Sequence, residues 1–183
     1  MEHFYQNIQG WFEETSQGEI YRIAVAAAPY DDLSVFVELG SWKGKSAAFM
    51  AVEIINSGKP IKFFCVDHFL GSDELPHILD PDLPHLRDIF EANVGHFDFV
   101  RVLPHDSLIA ADCFGKGEID MLFIDASHKY EDVKADLAAW EPKLRPNAIL
   151  AGDDFSWPGV WRAVRERYGL SGVRRMGGAW VRR

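Results

Sequence analysis

The segment VFVELGSWKGKSAAFMAVEI, from Val35 to Ile54, sets the architecture of this chain. It begins with three β-branched or aromatic residues, turns through Gly40 and Gly44, and continues as an apolar helical run. The pattern predicts a strand, a glycine turn and a helix. Gly40 permits a sharp turn or a positive φ, and Gly44 permits the backbone to approach a ligand closely. Because the new helix presents free N–H groups to the crevice beyond the strand ends, we expect an adenosine-like ligand there.

The glycine turn can be compared with three nucleotide-binding motifs. A P-loop needs four residues between its first glycine and the Gly-Lys-Ser/Thr triplet, but only three separate Gly40 from the triplet at Gly44. A dinucleotide fingerprint needs G-x-G-x-x-G, and two of its glycines are missing. The arrangement E-x-G-x-x-x-G, with Glu38 before the turn, instead resembles the first motif of class I S-adenosylmethionine (SAM) methyltransferases. Glu38 could accept hydrogen bonds, directly or through water, from the amino-acid end of SAM; a packing role is the alternative.

Length and composition are those of one ordinary globular domain. We expect a single domain over residues 1–183, with residues 1–30 forming an N-terminal helical segment that acts as a lid or a subunit contact. Cys65 and Cys113 have no disulfide or zinc spacing and are expected to be reduced. The apolar runs are too short for a membrane span and the start does not resemble a signal peptide, so we expect a cytoplasmic protein.

The formal net charge of −9 argues against a nucleic-acid partner, because phosphate binding needs a basic face. The exception is a group of C-terminal arginines: Arg162, Arg165, Arg167, Arg174, Arg175, Arg182 and Arg183. We interpret them as the solvated surface of a helix and a hairpin, with a phosphate-bearing acceptor or an acidic partner as the alternative.

The remaining elements alternate between strands and helices. Four further strands are predicted at IKFFCVD, FVRVLPHD, IDMLFID and AILAG, with an irregular stretch at residues 70–84. An apolar stripe from Tyr130 to Leu144 predicts a helix that Pro146 and Asn147 end. Gly177-Gly178 predicts a terminal hairpin. The expected fold is α/β: a Rossmann-like, doubly wound, mostly parallel seven-stranded sheet with a C-terminal antiparallel hairpin, which is the layout of class I methyltransferases.

Polar residues at the strand ends extend the predicted cofactor site. Asp67 ends the second strand, where nucleotide folds hold ribose hydroxyls; a loop or N-cap role is the alternative. Asp106 and Ser107 end the third strand, where the resemblance implies a contact with adenine, and Ser107 is expected to cap the next helix. The remaining predicted cofactor residues are Gly40, Ser41, Gly44, Ser46, His68 and Asp125.

Aspartates at the ends of strands four and five carry the predicted chemistry. Asp125 ends the fourth strand, and Asp153 and Asp154 follow the fifth. Because parallel strands bring their carboxyl ends to one edge, the three carboxylates should converge near the glycine turn. They would repel one another there, and their hard oxygens suit Mg²⁺ or a similar cation; helix capping is the alternative.

His128 is the predicted general base. It lies three residues after Asp125, and a histidine beside a hydroxyl whose pKa a metal has lowered can take its proton. Lys129 is a second base candidate. A surface position in the first helical turn is the alternative for His128.

The resemblance becomes specific in FIDASHKYEDVKADLAAWEPKLRPNAILAGDDFSWPGVWRAV together with VELGSWKGKS. These residues resemble bacterial sugar and macrolide-sugar O-methyltransferases and, more distantly, catechol-type O-methyltransferases. The sugar type uses an Asp-Asp pair and a His base, which correspond here to Asp153-Asp154 and His128. The resemblance covers nearly the whole chain after residue 18 and implies SAM bound with its ribose at Asp67 and its adenine near Asp106.

The resemblance implies metal-dependent methyl transfer to a hydroxyl of a small molecule, such as a sugar, a glycosylated metabolite or a phenol. Two alternatives stay open: a P-loop-like nucleotide hydrolase that uses Lys45, Ser46 and Asp125, and a SAM-binding protein without catalysis. The expected partner is a hydroxylated small molecule, with no nucleic acid and no membrane. The oligomeric state stays open, although many relatives of this group are homo-oligomers.

Overall fold

The computed structural model of the chain describes residues 1–182, so Arg183 lies outside the described residues. The strands are β1 (Ser34–Leu39), β2 (Ile61–Val66), β3 (Val100–Leu103), β4 (Ile119–Ile124), β5 (Leu144–Gly152), β6 (Val173–Met176) and β7 (Ala179–Arg182). They form one sheet in the order β3-β2-β1-β4-β5-β7-β6. Strands β1 to β5 run parallel, whereas β7 runs antiparallel to β5 and β6. The sheet is therefore mostly parallel with a terminal hairpin, as predicted.

Helices connect the strands. The α-helices of the described residues are α1 (Glu19–Ala27), α2 (Lys45–Ser57), α3 (Leu75–Ile78), α4 (Leu86–Val94), α5 (Ser107–Ala111), α6 (Tyr130–Trp140) and α7 (Pro158–Tyr168). Shorter helical turns cover Tyr5–Asn7, Glu14–Gly18, Leu83–His85 and Glu141–Lys143. None of these helices is long and apolar enough to cross a membrane.

Two buried clusters cover the two faces of the sheet. Alternate residues of β1 enter different clusters: Phe36 packs with side chains of α1, α2 and α4, whereas Val37 and Leu39 pack with side chains of α5, α6 and α7. This alternation is the period of two that a strand imposes. Because helices cover both faces, the central strands read as continuous apolar runs in the sequence.

The strand register brings the predicted functional residues to one edge. Leu39 of β1 pairs with Val66 of β2 and with Ile124 of β4, and Ile124 pairs in turn with Gly152 of β5. The carboxyl ends of these four strands are therefore level. The residues that follow them are Gly40, Asp67, Asp125 and Asp153.

The two glycines of the turn have different roles. Gly40 has φ +85°, and a Cβ atom there would lie 2.0 Å from the carbonyl oxygen of Asp125. Gly40 therefore lets β1 and β4 end side by side. Gly44 has φ +86° and precedes α2, and its Cβ position faces Phe90 and Val94 of α4 rather than the crevice. The prediction that Gly44 approaches a ligand is therefore wrong; it permits a left-handed turn and close helix packing.

The N-terminal prediction was only partly correct. Regular helix covers Glu19–Ala27, whereas most of residues 1–13 is irregular. The aromatic spacing that suggested a helix instead reflects packing, because the Tyr5 and Phe12 rings lie 5.3 and 4.8 Å from the ring of Phe49 on α2. Gly10, with φ +146°, adopts a conformation outside the helical range.

The predicted end of α6 was also wrong. The helix ends at Trp140, and β5 begins at Leu144, so Pro146 and Asn147 lie inside a strand instead of ending a helix. The pairing of β5 with β4 shifts register in this part, and Asn147 has φ +66°. A local irregularity of this kind accommodates a proline that cannot donate to the ladder.

The predictions for the cysteines and for the C-terminal arginines can be checked directly. Cys65 and Cys113 are both free thiols, as expected. Among the C-terminal basic residues that the structure describes, Arg167 and Arg182 bond to Glu141, and Arg162, Arg174 and Arg175 are exposed. These five arginines lie on α7 and the hairpin, whereas Arg183 lies outside the described residues.

Candidate active site

Asp67 holds the glycine turn in place. One of its carboxylate oxygens accepts the backbone N–H groups of Ser41 at 3.0 Å and Trp42 at 2.8 Å, and the other accepts the N–H of Phe69 at 2.6 Å. These bonds hold Trp42 at φ +48°, which is unusual for a bulky residue. A carboxylate offers about four acceptor positions, so Asp67, which lines the central cavity, keeps capacity for a ribose hydroxyl.

Glu38 lies behind the turn. Its side chain is fully buried, and it accepts hydrogen bonds from the hydroxyl groups of Tyr21 at 2.5 Å and Ser41 at 2.7 Å. Burial raises the pKa of this carboxyl. Glu38 is not among the cavity-lining residues, so a direct contact with a cofactor is not supported; it positions Ser41, which does line the cavity.

A cavity of about 690 Å³ opens above the carboxyl edge of the sheet. The predicted residues that line it are Gly40, Ser41, Ser46, Asp67, His68, Asp106, Ser107, Asp125, His128, Asp153 and Asp154. Gly44 and Glu38 do not line it. The topology therefore assembles nearly all of the predicted site residues around one cavity, although they are spread over more than a hundred positions of the sequence.

The N-terminal segment closes one side of this cavity. Gly10 and Trp11 line it, and the Lys45 ammonium donates to the carbonyl oxygen of Gly10 at 3.0 Å. The Trp42 ring stacks on His77 with centroids 4.1 Å apart, and Trp11 lies 5.3 Å from the same histidine. The segment therefore forms part of the cavity wall, and the choice between a lid and a subunit contact stays open.

The prediction that Ser107 caps the next helix is wrong. Asp106, not Ser107, caps α5, because its carboxylate accepts the N–H of Leu108 at 2.9 Å. The Ser107 hydroxyl instead donates to Asp136 of α6 at 2.5 Å. Burial, with Asp106 and Asp132 nearby, raises the pKa of Asp136 to about 6. Asp136 also lines the cavity and was not identified from the sequence.

The acidic residues converge in part as predicted. Asp125, His128 and Asp154 each offer a ligand atom, and these atoms lie within 4.8 Å of one another. Asp153 lines the same cavity but is not a member of this group. Burial and the neighbouring charges of Asp153 and Asp154 raise the pKa of Asp125 well above its usual range. The group therefore contains two of the three predicted aspartates together with His128, the predicted base, and it leaves out Asp153.

His128 lies between two carboxylates. Its Nδ1 is 2.6 Å from Glu74, and its Nε2 is 2.7 Å from Asp154, although the second contact lacks the direction of a hydrogen bond. Burial lowers the pKa of His128, but the contacts with Asp154 and Glu74 outweigh this and raise it to about 9. The imidazole is therefore cationic at neutral pH.

The donor set fits a divalent cation. Two carboxylates and one imidazole within 4.8 Å match the ligand types of divalent metals, and removing negative charge would relieve the repulsion that raises the Asp125 pKa. In a Mg²⁺ site the two carboxylates serve as ligands and His128 stays free, whereas a site that also used the imidazole would suit Mn²⁺ or Zn²⁺. Lys129 does not belong to this site: its ammonium pairs with Asp73 at the surface, 2.6 Å away, which argues against it as a base.

Two further residues beside His128 were missed by sequence reasoning. Glu74 comes from the irregular stretch to which no chemistry was assigned, and the Trp157 ring lies 4.5 Å from the His128 ring. Both line the cavity. No local motif marks them, because their positions depend on how two distant loops fold over the sheet edge.

The strand order and the cofactor-type turn at the carboxyl edge define the class I methyltransferase fold. Residues 37–155 match the family described as "Methyltransferase domain", and the chain belongs to this family. It is also 30% identical over 130 residues to the uncharacterized protein y4gI of Sinorhizobium fredii (strain NBRC 101917 / NGR234). That match covers 69% of this chain but 14% of the relative, so the chain spans only a small part of that protein.

Solved structures confirm the predicted fold. The TDP-rhamnose 3'-O-methyltransferase CalS11 of calicheamicin biosynthesis is similar with a TM-score of 0.61 and 21% identity, over 91% of this chain and 76% of that one. A putative caffeoyl-CoA O-methyltransferase from Staphylococcus aureus has a TM-score of 0.63 at 12% identity, over 96% and 85% of the two chains. Cofactor-bound Rv0187 from MTB has a TM-score of 0.62 at 15% identity, over 91% and 78%.

Proposed function

We propose that this protein transfers a methyl group from SAM to a hydroxyl of a small molecule, with Mg²⁺ or a similar cation held at Asp125 and Asp154. One observation carries the proposal: the Asp125–His128–Asp154 cluster opens into the same cavity as the glycine turn and Asp67. A cofactor on the turn and an acceptor at the cluster would therefore be neighbours, which is the arrangement that direct transfer requires.

The size of the cavity supports two occupants. Ligand cavities commonly measure roughly 300–1,000 Å³, and a volume of about 690 Å³ leaves space for a nucleoside and a small acceptor together. The cofactor-bound structure of Rv0187 and the names of CalS11 and the Staphylococcus aureus protein are consistent with SAM-dependent O-methylation in this fold. The sugar-type Asp-Asp pair and His128 support a hydroxyl acceptor.

The residues of this chain have separate roles in the proposal. Asp67 would hold the ribose, and Asp106 and Ser107 lie where the adenine is expected. Bound SAM supplies an electrophilic methyl group, and a bound divalent cation lowers the pKa of a nearby hydroxyl. Asp125 and Asp154 would hold this cation, and Asp153 adds negative charge to the same edge.

His128 is proposed to accept the proton of the acceptor hydroxyl. It must be neutral to do so, yet the contacts with Asp154 and Glu74 hold its pKa at about 9. Neutralising the charge of Asp154 removes one of these two influences and lowers the pKa towards the usual range of histidine. The contact between Glu74 and Nδ1 then leaves Nε2, which lies beside Asp154, as the nitrogen that accepts the proton.

The proposal is tested in two steps. Isothermal titration should give binding of SAM and none of ATP. Transfer of labelled methyl groups to a panel of sugars, glycosides and phenols should then require a divalent cation and stop in chelator. Asp154→Asn should abolish transfer and keep SAM binding, whereas exposed Asp112→Asn should leave both unchanged. Full activity of the chelated protein would remove the metal from the proposal.

The two alternatives predict other results. A P-loop-like hydrolase would bind ATP, but the ammonium of Lys45 already donates to the carbonyl oxygen of Gly10, and the family is that of methyltransferases. A non-catalytic SAM-binding protein would bind SAM but transfer no methyl group to any acceptor, and His128→Ala would leave its SAM binding unchanged.

A further inference from the structure

We infer that the acceptor is an uncharged molecule whose hydroxyl end reaches His128 and whose apolar or planar body rests on Trp157 and Leu75. Acceptors linked to a nucleoside diphosphate or another phosphorylated carrier are disfavoured. This inference rests on the proposed methyl transfer and specifies its substrate class. It is argued from the side chains around the mouth of the cavity and from the sign of the charges that line the cavity.

An apolar rim lies directly beside the proposed base. Trp157 is 43% exposed and Leu75 is 69% exposed, although both line the cavity. The Trp157 ring lies 4.5 Å from the ring of His128, and Leu75 follows Glu74, which contacts the same histidine. Large apolar side chains that stay exposed at the mouth of a cavity commonly mark a ligand surface. A group bound at His128 would therefore continue outward between these two side chains.

Both rim residues are placed by ordered structure. The N–H of Trp157 donates to the carbonyl oxygen of Asp154 at 2.8 Å, and Trp157 directly precedes α7. Leu75 begins α3, and the segment around it is tied down by Glu74 at His128 and by Asp73 at Lys129. The rim is thus positioned by the same residues that form the catalytic end of the cavity, so a flat apolar group would find a prepared surface.

The charges of the cavity argue against a phosphorylated acceptor. Among the described residues, eight carboxylate side chains line it, against one lysine, four histidines and no arginine. The lysine is Lys45, whose ammonium donates to the carbonyl oxygen of Gly10. Diphosphate recognition normally uses arginine, lysine or a cluster of N–H groups, and negative charges in a low-dielectric cavity repel phosphate.

A cationic acceptor is also disfavoured under the proposed function. Bound SAM carries a sulfonium, an ammonium and a carboxylate group, and the proposed cation adds two positive charges at Asp125 and Asp154. These charges neutralise the two aspartates at the floor of the cavity that would otherwise attract an amine, whereas the other carboxylate side chains of the lining still disfavour phosphate. A neutral glycoside or phenol therefore fits the combination of an acidic floor and an apolar rim.

The test measures acceptor binding to the full chain saturated with S-adenosylhomocysteine and Mg²⁺. The probes are glucose and rhamnose, each as the free sugar, as the phenyl glycoside and as the nucleoside diphosphate sugar. We expect a phenyl glycoside to bind about tenfold more tightly than the corresponding free sugar and the nucleotide form. The inference is overturned if neither phenyl glycoside exceeds both of its counterparts.

Matched variants locate the surface. Trp157→Ala and Leu75→Ser should each weaken binding of the phenyl glycoside about tenfold and leave that of the free sugar unchanged. The controls Trp161→Ala and Leu79→Ser change residues of similar exposure that do not line the cavity, and they should have no effect. Equal effects of both sets would also overturn the inference. Failure of the unmodified chain to bind S-adenosylhomocysteine would instead refute the proposed function itself.

Discussion

The substitution Asp136→Asn tests whether the Asp136 carboxyl group is as poorly solvated as the structure indicates. Asp136 is only 3% exposed and accepts one hydrogen bond from Ser107. Burial, with Asp106 and Asp132 nearby, raises its pKa from 3.8 to about 6. An asparagine has nearly the same shape and can still accept the Ser107 hydroxyl, but it does not titrate.

The magnitude follows from the difference between the folded and unfolded pKa values. Because the folded state binds this proton more tightly, the contribution of Asp136 to stability is most favourable at low pH and is lost as pH rises from about 4 to 6. A shift of about two units corresponds to about 3 kcal/mol. Part of this is already lost at pH 4, so the free energy of unfolding of the unmodified chain, relative to that of the variant, should fall by about 2 kcal/mol between pH 4 and pH 7.

The assay is urea unfolding followed by circular dichroism at several pH values between 4 and 7. Glu131→Gln, an exposed change on the same helix, serves as the control and should leave the pH dependence unchanged. Parallel stability profiles for the unmodified chain and Asp136→Asn would refute the reasoning, because they would mean that Asp136 is as well solvated in the folded state as in the unfolded chain.

Three further predictions concern the same edge of the sheet. Gly40→Ala should unfold the chain or cost roughly 3 kcal/mol or more, whereas Gly58→Ala, with open space around its Cβ position, should cost about 1 kcal/mol; equal losses in thermal unfolding would contradict this. In metal-free protein, NMR titration should place the His128 pKa near 9, and Glu74→Gln should lower it; this pair stabilises the fold below about pH 6.5 and ceases to do so as pH rises through about 9. Lys43→Met should lower the free energy of unfolding by roughly 3 kcal/mol, because the largely buried Asp80 carboxylate loses the Lys43 ammonium, which lies 2.8 Å away. An unchanged midpoint of urea unfolding would refute this prediction.

Much of the fold could be predicted because its signals are local. Hydrophobic runs identify the strands, and the glycines at both ends of α2 mark its bounds. Gly177-Gly178 forms the expected hairpin turn. The rule that parallel strands end at one edge of the sheet was enough to predict that Asp67 and Asp125 lie close together, and both line one cavity.

The errors arose where a local pattern had two explanations. The stripe that reaches Leu144 continued the helical period by chance, whereas the pairing of β5 with β4 begins at that residue. The aromatic residues near Tyr5 have helical spacing but pack individually against α2. Asp106 and Ser107 both suit an N-cap, and only the contact with Asp136 separates their roles.

The amino-acid sequence was sufficient to locate the cofactor turn, the acidic edge and His128, because these features depend on strand ends that hydrophobic periodicity and glycine positions reveal. The folded chain was needed to show that Glu74 and Trp157 flank His128, that Glu38 supports the turn from behind, and that Gly10 and Trp11 cover the cavity. The contacts of His128 join residues 54 and 29 positions apart, and Gly10 and Trp11 lie in an irregular segment, where no repeating pattern links sequence distance to spatial distance. Packing of the loops against the sheet determines them.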